Sequence, residues 1–269
     1  MRVRWPSFVL GIDGHEPANS EFSLSLLGFL ICPAARAQPV DPFFTRRIPH
    51  TEQFTQDSWY GRISQGKNLP ELDGRFFVLS TSSSVMLSGN ASGTNGYRQV
   101  FRFSRDGGGA MATAHISRQP GQEKELALGN CDSPSISEDG KVVVFSTSAP
   151  LNGADTNAKL DVYARILTSD LGDGQTVLLS ARRDALGNIV AIGNDHSNLA
   201  CVSGSGRFVA FSSSASNLIS TDGNGTYSEV FVVELIFDGV GIFMRAVTPE
   251  IVSINNSGGQ SQNYSFGCP

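Results

Sequence analysis

Apolar and polar residues along this chain alternate in short runs, too brief for helices and bounded by glycine and serine. One run shows the pattern well. A glycine turn at residues 204–206 opens into Phe208-Val209-Ala210-Phe211, and a polar stretch over 212–224 closes it. Phe208 and Ala210 share one parity, Val209 and Phe211 the other. A glycine turn feeding an aromatic and β-branched run predicts the second half of a β-hairpin. The same phrase occurs at 137–149 and, more loosely, at 72–83, so that the turn glycines Gly74, Gly140 and Gly206 stand 66 residues apart. Later parts of the unit recur with small insertions. A second strand centres on Val100, Val162 and Val230, and a third ends in Ser117, Ser180 and Ser253. A last one, through 133–137 and 199–203, leads into the next turn.

A fixed period of this length means a repeat architecture, and four antiparallel strands per unit describe the blade of a β-propeller. The expectation is an all-β chain: a partial β-propeller of about three four-stranded antiparallel blades, preceded by a signal peptide. Closed rings usually need four to eight blades, whereas 72–269 holds about three units of 66 residues. An open arc is therefore expected, with Val142, Val144 and their equivalents in neighbouring blades facing each other. Uncovered terminal faces would then favour self-association.

Composition agrees with many short strands. Among 269 residues there are 29 glycines, only 17% are charged, and the net charge of −5 gives no reason to expect nucleic acid. The N-terminus reads differently from the rest. Arg2 and Arg4, an apolar run over 22–32 and Ala35-Arg36-Ala37 resemble a signal peptide over 1–37, with cleavage before Gln38. The apolar run is too short to span a bilayer. Residues 38–71 read as an irregular segment with four prolines, in which Ile63-Ser64 would end a strand of a preceding unit. Cys131, Cys201 and Cys268 remain after cleavage. A disulfide between two of them suits an oxidising compartment, but spacing does not assign the pair.

The recurring Ser-x-Asp-Gly-Lys/Arg-x-Val-x-Phe-Ser-x-Ser-Ala around Gly140 and Gly206 resembles the WD40-like repeats of TolB-type β-propellers. So do Asn217-Leu218-Ile219 before an Asp-x-Asn loop, and the strands Asp161-Val162-Tyr163 and Glu229-Val230-Phe231. The first unit departs from the pattern, with Leu79 in place of the phenylalanine and Ser83 in place of the alanine. The resemblance covers roughly 73–269 and implies a secreted or periplasmic propeller used for binding and scaffolding. It names no ligand, because fold alone does not fix function.

Catalytic motifs are scarce. The sequence contains no Gly-x-Ser-x-Gly elbow and no His-Glu-x-x-His. Asp195-His196-Ser197 holds triad residue types, but triads are assembled in space rather than along three adjacent positions, so it reads as a turn before a strand. Two acidic loops recur after the same strand: Asp155 and Asn157 with Asp161, and Asp222 with Asn224. Alternating carboxylate and amide oxygens suit calcium. They equally suit Asx turns, in which these side chains bond their own backbone. The function expected is that of an exported, non-enzymatic propeller that binds a protein or glycan partner. The alternative is the propeller portion of a larger secreted hydrolase of peptidase type. If the N-terminal reading is right, Edman sequencing of exported protein will begin at Gln38, whereas an intact Met1 on mature protein would exclude it.

Overall fold

Short runs of β-branched and aromatic residues, each ended by a tight turn or a polar loop, can satisfy their backbones only by pairing sideways. The computed structural model describes residues 58–64, 74–82, 96–105, 111–118, 126–170, 172–220, 222–223, 227–261 and 265. The signal-peptide segment 1–37 lies outside them. Fifteen strands are present among the described residues; thirteen form three antiparallel blades and two form a separate hairpin. Blade 1 contains β1 (Ser58–Ile63), β2 (Phe76–Thr81), β3 (Gln99–Arg105) and β4 (Met111–His115) in that order. Blade 2 contains β5 (Cys131–Ile136), β6 (Val142–Thr147), β7 (Asp161–Leu167) and β8 (Gly174–Leu178). A two-stranded hairpin, β9 (Ala181–Arg183) and β10 (Ile189–Ile192), precedes blade 3. Blade 3 contains β11 (Ser197–Val202), β12 (Phe208–Ser213), β13 (Glu229–Phe237) and β14 (Phe243–Ala246), and β15 (Glu250–Ile251) also pairs with β13. The fold is all-β, with propeller-like blades.

Two expectations are corrected. The strand before each glycine turn belongs to the blade that follows it, not to the unit it was counted with. Ser64, Ser137 and Ser203 each donate a backbone N–H across the turn, to Phe76, Val142 and Phe208 carbonyls at 2.8 to 2.9 Å. Closing so short a loop costs little entropy. Blade 1 accordingly takes its first strand from 58–63, inside the segment read as irregular. Trp59 and Tyr60 lie on that strand.

The second correction concerns faces. Val142 and Val144 do not face their repeat equivalents. They meet Val209, Phe211, Phe231 and Val233, the opposite parity of blade 3. On the other side of the same sheet, Val143, Phe145 and Tyr163 meet Phe76, Val78 and Val100 of blade 1. Units repeated by rotation must stack front to back, so unlike faces meet. No core cluster among the described residues joins blade 1 to blade 3.

The turn glycines lock this stacking. Gly140 has φ +70° and Gly206 φ +72°, as a tight hairpin turn requires. Packing adds a second demand. A Cβ on Gly140 would lie 2.4 Å from the Phe76 ring of blade 1, and one on Gly206 would lie 2.9 Å from Val142 Cγ2 of blade 2. The first residue of each second strand thus rests on the turn of the next blade. Backbone bonding reinforces the junction, with Glu138 N–H donating to Gly204 O at 2.9 Å. In blade 3 the outer strand is broken between β14 and β15 by Pro249, which has no N–H to give the ladder. Thr248 Oγ1, freed at that break, accepts from Arg183 N at 2.7 Å and ties β9 to blade 3.

Gly140→Ala and Gly206→Val should each destabilise the protein by at least ~1 kcal/mol, through strained φ before any clash is counted. Gly153, with open space at its Cβ position and no positive φ, is the control. Its alanine variant should stay within about 0.5 kcal/mol of the parent in urea unfolding.

Candidate functional site

The three blades share one feature at the end where second strands hand over to third strands. Each third strand opens with a buried polar residue, Gln99, Asp161 or Glu229, followed by a valine. Each has a serine beside it, just after the fourth strand or its equivalent. Ser117 Oγ accepts from Val100 N at 3.0 Å and donates to Gln99 Oε1 at 2.8 Å. Ser180 Oγ accepts from Val162 N at 3.1 Å and donates to Asp161 Oδ1 at 2.5 Å. Ser253 Oγ accepts from Val230 N at 3.1 Å. The same serines offer their carbonyls to Ala127, Gly193 and Ser261 N–H groups at 3.1, 2.9 and 3.1 Å. Such a clasp fixes where the fourth strand ends and where the chain turns toward the next blade.

The acidic loop of blade 2 is part of that clasp. In blade 1, Gln99 Nε2 donates to Ala127 O at 3.0 Å. Asp161 is one methylene shorter and has no donor when ionised. Asn157 supplies the missing bond, with Nδ2 donating to Gly193 O at 2.7 Å. Its Oδ1 accepts from Lys159 N at 2.7 Å, which is Asx-turn geometry. Asp155 accepts from the Tyr163 hydroxyl, whose oxygen in turn accepts from Leu151 N at 3.3 Å. Asp161 Oδ2 stays buried without a hydrogen-bond partner. Burial raises the Asp161 carboxyl to about 6 against the bond from Ser180, and burial followed by the bond to Asp155 pushes the Tyr163 hydroxyl well up.

The structure therefore brings Asp155, Asn157 and Asp161 together, engaged in turn and clasp bonds. Among the described residues no group of three or more His, Cys, Asp or Glu converges as a metal site. Asp222 lies in the corresponding loop of blade 3, where Gly223 N–H donates to Gln260 Oε1 at 2.5 Å. Asn224 lies outside the described residues. The clasp residues were visible in the sequence as markers of the repeat. Their common burial was not, because it depends on the fourth strand reaching the start of the third.

Around the clasps the same end carries a polar rim. Arg98 pairs with Asp132 through two bonds of 2.6 Å, joining blade 1 to blade 2. Lys159 Nζ pairs with Asp195 Oδ1 at 3.1 Å, joining blade 2 to the start of blade 3, and both side chains are about 40% exposed (38% and 43%). Lys159, then the His196 N–H, hold the Asp195 carboxyl below the usual carboxylate range. Asn194 and Ser216 bond reciprocally at 2.9 Å, and Asn194 N donates to Asn217 Oδ1 at 2.9 Å. Asp195-His196-Ser197 is not a triad. His196 Nδ1 accepts from Leu160 N at 2.9 Å, and Ser197 Oγ is buried 2.8 Å from Ser213 Oγ.

Two further ionisable groups are His115, half-buried on β4, and Cys131, buried in the junction of blades 1 and 2. His115 Nε2 lies 3.3 Å from Gln99 Oε1 and 3.2 Å from Ser117 Oγ. Burial, with Arg118 and Arg165 nearby, lowers it to about 3. Cys131 is a free, buried thiol pushed up to about 12 by burial. It takes no part in a disulfide. Cys201 is disulfide-bonded to a partner outside the described residues, where Cys268 also lies.

No protein-family model matches the chain, and no curated protein sequence matches it. Solved structures do. The tricorn protease is 10% identical over 76% of this chain, with a TM-score of 0.40. A TolB from Agrobacterium tumefaciens, described as putative, is 13% identical over 71%, with a TM-score of 0.30. TolB from Acinetobacter baumannii is 12% identical over 74%, with a TM-score of 0.26. The chain spans 18%, 65% and 45% of those proteins respectively. At this level of likeness the functional reading rests on the chain's own residues.

His115 supplies a test of the packing of blade 1. Its folded pKa lies near 3, below the ordinary 6.5. Its neutral form therefore supports the fold fully above pH 6.5, and that support is lost as pH falls through about 3. His115→Gln should remove this part of the acid destabilisation, on the order of 4 kcal/mol between pH 6.5 and 3. Urea midpoints measured across that window for both proteins check it. Parallel curves would exclude a depressed His115.

Proposed function

We propose that this chain is a non-enzymatic, TolB-type propeller module, exported to the periplasm or the exterior, that binds a protein or glycan through its long-loop end. The observation that carries this reading is the polar rim. Amides, hydroxyls and the half-exposed Lys159–Asp195 pair are held in fixed positions by interblade bonds, all at one end. Pre-ordered polar groups on rigid blades lose little conformational freedom when they bind. Export is supported by the disulfide at Cys201, since such bonds persist in oxidising compartments.

The experiment is to screen purified protein against immobilised envelope oligosaccharides and envelope proteins, beside Lys159→Ala/Asp195→Ala. Saturable binding should fall at least about tenfold in the double variant. Its melting temperature should move little, because exposed ion pairs contribute ~1 kcal/mol or less. Turnover of peptide or ester substrates by the purified chain would replace this reading with that of a hydrolase part.

A further inference from the structure

Blades 1 and 2 are each tied to the blade that follows by the residue just before the third strand. In the first tie, Arg98 N donates to Asn130 Oδ1 at 2.9 Å, and Arg98 O accepts from Cys131 N at 2.9 Å. In the second, Leu160 N donates to His196 Nδ1 at 2.9 Å, and Leu160 O accepts from Ser197 N at 2.7 Å. Asn130 and His196 stand 66 residues apart, the period of the repeat. Their positions and bonding are equivalent, but their chemistry is not. An amide oxygen accepts at any pH, whereas an imidazole nitrogen accepts only while it carries no proton. Because a backbone N–H can only donate, the bond from Leu160 leaves the proton of the neutral ring on Nε2. Imidazole is also the side chain that ordinarily changes charge in the neutral range of pH.

We propose that His196 is an acid-sensitive tie between blades 2 and 3. Uncharged, it holds the Leu160 N–H. A proton taken up at Nδ1 sets two donors face to face, and that bond is lost. The imidazolium then turns to the Asp195 carboxylate, in competition with Lys159. His196 is exposed, so protons reach it without any opening of the fold. The charged groups around it suit such an exchange of partners. Asp195, the preceding residue, already accepts from His196 N at 2.9 Å and from Lys159 Nζ at 3.1 Å. Asp155 and Asp161, on the loop and strand flanking Leu160, are engaged by the Tyr163 and Ser180 hydroxyls. On the blade 3 side, Glu229 is buried opposite Ser213, which pairs with Ser197. Residues 214–219, which begin with the Ser214 N–H bonded to His196 O, bring no ionisable side chain, and neither do 190–194. Losing the tie loosens the rim where Lys159 and Asp195 join the two blades.

NMR of the full chain from about pH 8 down to about pH 5 tests it, with Arg98 as the internal control. At the upper end the ring nitrogen shifts should show a neutral His196 with its proton on Nε2. As pH falls, the Leu160 amide shift should follow the titration of that ring. Protection of the Leu160 amide against hydrogen exchange, corrected for the intrinsic rate, should fall about tenfold. The Arg98 amide should keep its own protection throughout. His196→Asn, which restores the amide acceptor of the first tie, should hold Leu160 protection constant across the range. A proton on Nδ1 of the neutral ring, or a Leu160 amide indifferent to the ring's titration, would overturn the proposal. So would a ring that keeps one charge state over the whole range, or equal acid sensitivity in His196→Asn.

Discussion

The contact on which the rest of this molecule depends is a side chain resting on a glycine of the next blade. Phe76 occupies the space that a Cβ on Gly140 would take, and Val142 crowds the equivalent space over Gly206. That contact sets the distance between sheets, and with it the front-to-back order in which their faces meet. Without it, three twisted four-stranded sheets could slide past one another at little cost, since apolar burial has no direction of its own. Phe76, Val142, Phe145 and Phe211 are almost completely buried as a result. Each turn glycine therefore answers two demands, a left-handed backbone and a missing side chain, of which only the first is local.

A second constraint follows from putting polar residues inside that stack. Gln99, Asp161 and Glu229 are buried at the same place in successive blades, where an unpaired polar atom costs on the order of 1–3 kcal/mol. The protein meets this cost in different ways. Gln99 carries its own donor and acceptor to Ala127 and Ser117, whereas Asp161 needs Asn157 to complete the set. The acidic loop of blade 2 is thereby drawn into holding the blade together. The outward-facing polar groups are those of the rim, Arg98 with Asp132 and Lys159 with Asp195, each bridging two blades. Structure and surface chemistry thus separate cleanly at this end, with clasps inside and ion pairs outside.

The repeat was legible in the residues because tight turns and strand alternation are local. The spacing of Gly74, Gly140 and Gly206, the strands centred on Val100, Val162 and Val230, and the count of three blades all follow from the chain read in one dimension. The phase of the blade did not. Strands such as β5 and β11 neighbour two others along the chain, and only the short loop through the glycine turn decides which one they pair with first. The recurring hairpins at the end of each unit were equally hidden. Blades 1 and 3 reduce them to single bridges, Arg118 to Leu126 and Ile254 to Gln260, whereas blade 2 expands the same feature into β9 and β10.

By itself, then, the sequence determined the principal strands of each blade, the period and the left-handed turns, because those depend on backbone sterics and neighbours a few residues away. It also marked the polar positions of the candidate site, although not their roles. Tertiary structure alone decided that Val142 faces Val209 rather than its own equivalent, that Asn157 serves Gly193, and that Cys131 is enclosed while Cys201 is bonded. These outcomes depend on the rotation relating one blade to the next. That rotation arises when whole faces pack together, and no stretch of chain encodes it locally.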